Sequence, residues 1–135
     1  MRIRFALEIS DGLGANAELF TELSERLSTY FADKSYGHGL EELLIDIICV
    51  APEFKFCFFE PRKKYTKAKK LFECDVRIDF ELFRSAGRQQ AISVLCECIE
   101  KAAAVLRGLR LPGIDVESFQ ADLQAFTAEE VRRCR

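Results

Sequence analysis

The side chains best suited to chemistry are three carboxylates in the segment "LFECDVRIDF", namely Glu73, Asp75 and Asp79. Apolar and charged residues alternate there, which predicts a strand over residues 71–80 with these carboxylates on one face. Neighbouring acids can exchange protons with a substrate or hold a metal ion. Arg77 lies among them, however, and an exposed sheet face requires such alternating charges. We therefore favour a salt-bridged solvent face over an acid–base site.

Other catalytic groups are scarce in the sequence. His38 is the single histidine, and it lies in "SYGHG", where two glycines predict a loop over residues 35–39. The chain contains no nucleophile elbow, zinc-protease motif, CxxC pair or glycine-rich phosphate loop. Cys96 and Cys98 are two residues apart, and such positions on a helix do not face each other. We therefore predict no catalytic residue, no metal site and no cofactor.

Residues 62–70, "RKKYTKAKK", place six Lys or Arg side chains around Tyr65. The whole chain carries a formal charge of −2 and this basic segment +6, so the remaining 126 residues carry −8. A general nucleic-acid binder neutralises many phosphates, so this acidic balance argues against that role. Two interpretations remain open for the segment, which we place in a hairpin. It is either a solvated turn whose lysines prevent strand aggregation, or a contact surface for an acidic partner with Tyr65 as its anchor.

The six cysteines are an even number, which would fit a disulfide framework in a small secreted protein. The first 30 residues lack a signal-peptide pattern, since Arg4 and Glu8 interrupt the apolar run. No stretch approaches the roughly 18 apolar residues of a membrane span. We therefore predict a cytoplasmic protein with reduced cysteines and no membrane contact.

Apolar periodicity predicts the elements that position these residues. Period-two alternation or β-branched runs predict strands over residues 2–9, 43–51, 54–60 and 71–80. Helical spacing predicts helices over residues 14–33, 87–109 and from about 116 onward. Asp115 is a candidate N-cap for the third helix. Thr127 and Glu130 have the spacing of a capping box that would begin a separate last turn.

The element order β-α-β-β-β-α-α favours an α+β fold. We predict a two-layer arrangement in which helices cover one face of a mainly antiparallel four-stranded sheet. The 135 residues fit one domain over residues 1–135. An exposed edge strand could pair two copies of the chain, so the sequence leaves a homodimer open.

Four segments resemble a known family. They are "SYGHGLEEL" (35–43), "KYTKAKK" (64–70), "VRIDFELFRSA" (76–86) and "LPGIDVESFQADLQAF" (111–126). In this order they are similar to immunity proteins of bacterial polymorphic toxin systems, in particular the family numbered forty-four. The resemblance implies a small cytoplasmic protein that binds and neutralises a toxin domain encoded beside it. It transfers no catalytic residue to this chain.

The leading hypothesis is therefore a non-enzymatic inhibitor that recognises its toxin through charged surfaces. An acidic sheet face would suit a nuclease with a basic cleft, and the basic segment would suit an acidic docking site. The candidate partner-binding residues are Arg62, Lys63, Lys64, Tyr65, Lys67, Glu73, Asp75, Arg77, Asp79, Tyr36 and His38. The alternatives are a nucleic-acid-associated module that uses the basic hairpin and, less favoured, a small enzyme that uses the strand carboxylates.

Overall fold

A computed structural model describes residues 1–9, 12–49 and 63–133, and of residues 7–9 it describes the backbone. This part of the chain combines a four-stranded sheet with four α-helices, which confirms the predicted α+β class. The strands are β1 (Arg2–Ile9), β2 (Glu42–Cys49), β3 (Lys63–Thr66) and β4 (Leu71–Arg77). The helices are α1 (Ala17–Phe31), α2 (Phe80–Ser85), α3 (Arg88–Gly108) and α4 (Val116–Arg133).

The sheet is mixed, so the prediction of a mainly antiparallel sheet is wrong. Its strand order is β1-β2-β4-β3, with β1 parallel to β2, β2 parallel to β4, and β3 antiparallel to β4. Alternating apolar residues reveal which face of a strand is buried but not its direction. Helix α1 carries the chain back to the end of the sheet where β1 began, and such a crossover makes β1 and β2 parallel.

The predicted element order is not confirmed either. The short helix α2 follows β4, where the sequence predicted a longer strand. The predicted strand over residues 54–60 lies outside the described residues.

The core forms between one face of the sheet and the long helices. Alternate β2 residues, Leu43, Ile45 and Ile47, are fully buried and belong to a single apolar cluster with residues of α1, α3 and α4. Aromatic rings join α1 to α4, with the centroids of Phe31 and Phe119 5.9 Å apart in an edge-on arrangement. The opposite sheet face carries the charged residues.

Of the two helix boundaries predicted around α4, one is confirmed and one is wrong. Asp115 caps the helix as predicted, because its carboxylate accepts a 3.1 Å hydrogen bond from the backbone N–H of Ser118. The helix then continues without a break to Arg133, so the predicted capping box is wrong. The Thr127 hydroxyl instead donates to a carboxylate oxygen of Glu100 on α3 at 3.0 Å, and Glu130 pairs with α1.

Candidate partner-binding surface

The basic segment forms strand β3 and the turn that joins it to β4. Lys63 and Lys64 are exposed on β3, at one end of the strand order, and the 3-10 turn Lys67–Lys69 follows. Arg62, which the sequence included in this segment, lies outside the described residues. The exposed lysines of the hairpin therefore lie on a strand of the sheet and on the turn that follows it.

The exposed lysines of this hairpin form what we call the basic edge, defined as Lys63, Lys64, Lys67 and Lys69. Among the described residues, none of the four takes part in an ion pair. Some arginines of the helices behave differently, because they form ion pairs. Arg26 binds Glu130, and Arg132 binds Glu129. The basic edge is therefore a concentration of positive charge that other described side chains do not neutralise.

The two candidate tyrosines use their hydroxyl groups inside the molecule. The Tyr65 hydroxyl donates to the carbonyl oxygen of Gly39 at 2.6 Å, and its ring packs against the core. Tyr36 is buried, and its hydroxyl donates to the Asp122 carboxylate at 2.6 Å. Burial and the Asp122 carboxylate raise the pKa of Tyr36 well above its usual range. Tyr65 therefore fixes β3 to the neighbouring loop, and Tyr36 fixes that loop to α4.

The strand carboxylates are only partly brought together. Glu73 and Asp75 are half-buried on the sheet face opposite the core, and Arg77 is exposed on that face. Lys64 is the register partner of Glu73 on the adjacent strand. The prediction that Asp79 shares this face is wrong. Strand β4 ends at Arg77, and the Asp79 carboxylate caps α2 by accepting a 2.8 Å hydrogen bond from the backbone N–H of Leu82.

The charged face of the sheet carries both positive and negative side chains, and some of them form ion pairs. Arg2 and Arg4 on β1 both bind the Glu42 carboxylate on β2, with an Arg2–Glu42 distance of 2.5 Å between Nη2 and Oε2. Burial works to raise the pKa of Glu42, but the hydrogen bonds from Arg4 and Arg2 outweigh it and lower the pKa. Glu42 is therefore an ionised carboxylate whose charge is already matched. The side chain of Glu8, four residues after Arg4 on β1, lies outside the described part.

His38 is exposed in a loop that a second loop holds in place. The backbone N–H of Gly39 donates to the carbonyl oxygen of Gly113 at 3.0 Å, and that of Asp115 donates to Tyr36 at 2.8 Å. Gly37 has a φ of +104°, and a Cβ atom there would lie 2.2 Å from the Gly113 carbonyl oxygen. Only glycine allows the two backbones to approach this closely. The segments "SYGHG" and "LPGID" therefore form one interlocked unit.

A cleft of about 500 Å³ lies beside this unit, at the end of the sheet where β1 and β2 begin. We call it the His38 cleft, and it is lined by Met1, Arg2, Ser28, Ala32, Ser35, Gly37, His38, Leu40, Glu41 and Lys70. Sequence reasoning did not select Arg2 or Lys70 as site residues. The parallel pairing of β1 with β2 brings Arg2 to this end of the sheet, and that of β2 with β4 brings Lys70 there. No local pattern in the sequence reveals these pairings.

The described cysteines are suited to packing rather than to reaction. Cys49, Cys74 and Cys98 are buried thiols without disulfide bonds. Burial raises the pKa of Cys49 to about 11 and that of Cys98 to about 12. Within residues 1–9, 12–49 and 63–133, no group of three or more His, Cys, Asp or Glu side chains could hold a metal ion. None of the helices in those ranges is long and apolar enough to cross a membrane.

Comparison with known proteins identifies a family. The family model described as immunity protein 44 matches residues 1–129, which is nearly the whole chain. No curated protein and no solved structure matches the chain. The match confirms the resemblance carried by the loop, hairpin and helix segments. This chain therefore belongs to the immunity protein 44 family.

Proposed function

We propose that this protein is a non-enzymatic immunity protein that binds a cognate toxin and neutralises it by direct contact. The toxin would be encoded by the adjacent gene and would act in the cytoplasm. Family membership supports a role in toxin immunity in general. The observation that carries the binding mechanism is the basic edge, whose four lysines are exposed and form no ion pair among the described residues.

The basic edge is a better docking surface than the acidic sheet face. The Glu42 carboxylate is already held by two arginines, and Asp79 is used to cap α2. A carboxylate that is matched internally gains little from a second cation on a partner. Unmatched lysines, in contrast, attract an opposite charge over a distance set by salt and accelerate association. We therefore propose that the docking surface of the toxin is acidic.

The distribution of charge favours protein capture over nucleic-acid binding. Strand β3 has only four residues, and the residues outside the basic segment carry −8. That excess of negative charge would repel the extended phosphate backbone on either side of the basic edge. An acidic surface of a folded toxin has a limited extent, so it can contact the basic edge without meeting the rest of the chain.

Co-expression with the toxin domain tests the proposal. The edge triple variant carries Lys63→Gln, Lys64→Gln and Lys67→Gln. The control triple variant carries Lys101→Gln, Arg107→Gln and Arg110→Gln, which neutralise three exposed cations remote from the hairpin in sequence. Both sets alter exposed side chains, so each should change stability by no more than about 0.5 kcal/mol per site. Thermal unfolding of the purified variants checks this assumption.

The wild-type chain and the control triple variant should restore growth of cells that make the toxin, and the edge triple variant should restore it poorly. A neighbouring gene without toxicity, or toxicity unchanged by the wild-type chain, would refute the immunity function. Full rescue by a folded edge triple variant would refute the basic edge as the docking surface while leaving the immunity function in place.

A further inference from the structure

We propose that the His38 cleft receives a carboxylate side chain from the acidic docking surface of the toxin. This inference rests on the proposed function and assigns a second, more specific contact beside the basic edge. It concerns residues outside the basic edge, chiefly Arg2, His38 and Lys70. The cleft volume of about 500 Å³ lies within the usual range for ligand pockets and admits the end of an Asp or Glu side chain.

The lining of the cleft has the chemistry that recognises a carboxylate. Arg2 binds Glu42 through Nη2, so its remaining guanidinium N–H groups and the Lys70 ammonium group supply the cationic donors. The Ser35 hydroxyl can donate as well, whereas the Ser28 hydroxyl donates to the carbonyl oxygen of Ile3. Glu41 is the acidic residue of the lining, but its side chain is 73% exposed and lies 3.9 Å from the Lys70 ammonium group. So long and exposed an ion pair is weak. An incoming carboxylate can therefore compete with Glu41 for Lys70.

Lys70 is held at the cleft by an unusual backbone conformation. Its φ is +49°, in the left-handed region that residues other than glycine seldom occupy. The Lys70 carbonyl oxygen accepts hydrogen bonds from the backbone N–H groups of Glu41 at 2.8 Å and Glu42 at 3.2 Å. These bonds tie the end of the hairpin turn to the start of β2. Lys70 thereby belongs to the lining of the cleft and also directly follows the basic edge in the chain.

Backbone contacts between two loops hold the wall of the cleft that carries His38. The loop that carries His38 is flanked by Gly37 and Gly39, and a Cβ atom at Gly39 would lie 2.5 Å from the carbonyl oxygen of Pro112. Hydrogen bonds from Gly39 and Asp115 close the contact between the two loops. A pocket whose wall is already ordered loses little conformational entropy when a ligand binds. The backbone that carries the exposed His38 side chain is thus held in place at the cleft that Arg2 and Lys70 also line.

The single histidine makes the cleft directly observable. The probe is an acetylated tetra-aspartate amide, and the matched control is the corresponding tetra-asparagine peptide. Proton NMR of the full chain at constant pH follows the imidazole C–H resonances of His38. We expect saturable shifts with tetra-aspartate and none with tetra-asparagine. Arg2→Gln and Lys70→Gln should each weaken this binding by about fivefold, the upper range for one exposed charge pair, whereas Lys101→Gln should leave it unchanged.

Three results would overturn the inference. Unmoved His38 resonances, or equal shifts with both peptides, would show that the cleft does not select a carboxylate. A second result would place the acidic peptide on the basic edge alone: the edge triple variant loses the shifts, whereas Arg2→Gln and Lys70→Gln keep them. A third result combines two measurements: tetra-aspartate binds at the cleft, but Arg2→Gln and Lys70→Gln both leave the affinity for the toxin unchanged. That result would show that the toxin does not use the cleft. The peptide titration contains no toxin, so its failure is separable from failure of the immunity function.

Discussion

Gly37→Ala adds a single methyl group at the contact between the two interlocked loops, and we expect it to lower the stability of the fold strongly. The added Cβ atom would lie 2.2 Å from the carbonyl oxygen of Gly113, whose position is fixed by backbone rather than by a flexible side chain. Gly37 also has a φ of +104°, which an alanine adopts only with strain. The loops must therefore separate, or the backbone at residue 37 must change conformation.

The cost follows from the interactions that are lost. Backbone strain at a positive φ contributes about 1–2 kcal/mol. Separation of the loops breaks the hydrogen bonds from Gly39 to Gly113 and from Asp115 to Tyr36, each worth about 0.5–1.5 kcal/mol. We therefore expect the free energy of unfolding to fall by about 2–5 kcal/mol. For a chain of 135 residues this corresponds to a decrease in Tm of about 7–18 °C.

Urea unfolding and thermal unfolding measure this loss, and Gly108→Ala is the matched control. A Cβ atom at Gly108, the last residue of α3, would meet nothing within 4 Å. Alanine also has the higher helix propensity, so this control should be as stable as the wild-type chain or slightly more stable. An unfolding midpoint of Gly37→Ala equal to that of the wild type would refute the close contact. An equal loss in Gly108→Ala would show that the effect is not specific to the loops.

Three further predictions concern buried polar groups. In alkylation assays, the Cys49 and Cys98 thiols should react slowly at mildly alkaline pH in the folded chain and rapidly once denatured, because burial raises their pKa. Burial and Asp122 raise the pKa of Tyr36, so this side chain ionises at lower pH in the unfolded chain than in the folded one. The free energy of unfolding, measured with urea, should therefore fall as pH rises above about 10, and it should fall less in Tyr36→Phe. Glu130→Ala should lower the free energy of unfolding, measured with urea, by about 1–3 kcal/mol. Glu130 is buried, and both of its carboxylate oxygens accept from the single Nε–H of Arg26, whose side chain is 30% exposed.

The elements with long, regular patterns could be predicted from the sequence. Strand β1 and helix α3 lie within one residue of their predicted bounds, because each has an uninterrupted apolar period. Strand direction could not be predicted in this way. Residues 14–31 contain a crossover helix that fixes β1 and β2 as parallel, and the prediction gave too little weight to that constraint.

The candidate site was harder to predict because competing local signals overlap. Phe80 continues the alternation of "VRIDF", yet it begins α2, and Asp79 is the residue that caps this helix. A cap lowers the free energy of the helix end, and the periodicity of side chains does not record that contribution. The tyrosines illustrate a second limit. The sequence predicts Tyr65 as an anchor for a partner and Tyr36 as a partner-binding residue. It does not reveal that the hydroxyl groups of both bind atoms that are distant in sequence.

The affinity of the purified chain for the toxin domain encoded by the adjacent gene tests the central claim most directly. Isothermal titration calorimetry at increasing salt should show binding that weakens as salt rises, since the basic edge meets an acidic surface. The edge triple variant should bind about tenfold more weakly, which corresponds to about 0.5 kcal/mol for each lost charge. The control triple variant should bind like the wild type. Absence of binding, or equal affinity in the wild-type chain and the folded edge triple variant, would contradict neutralisation through the basic edge.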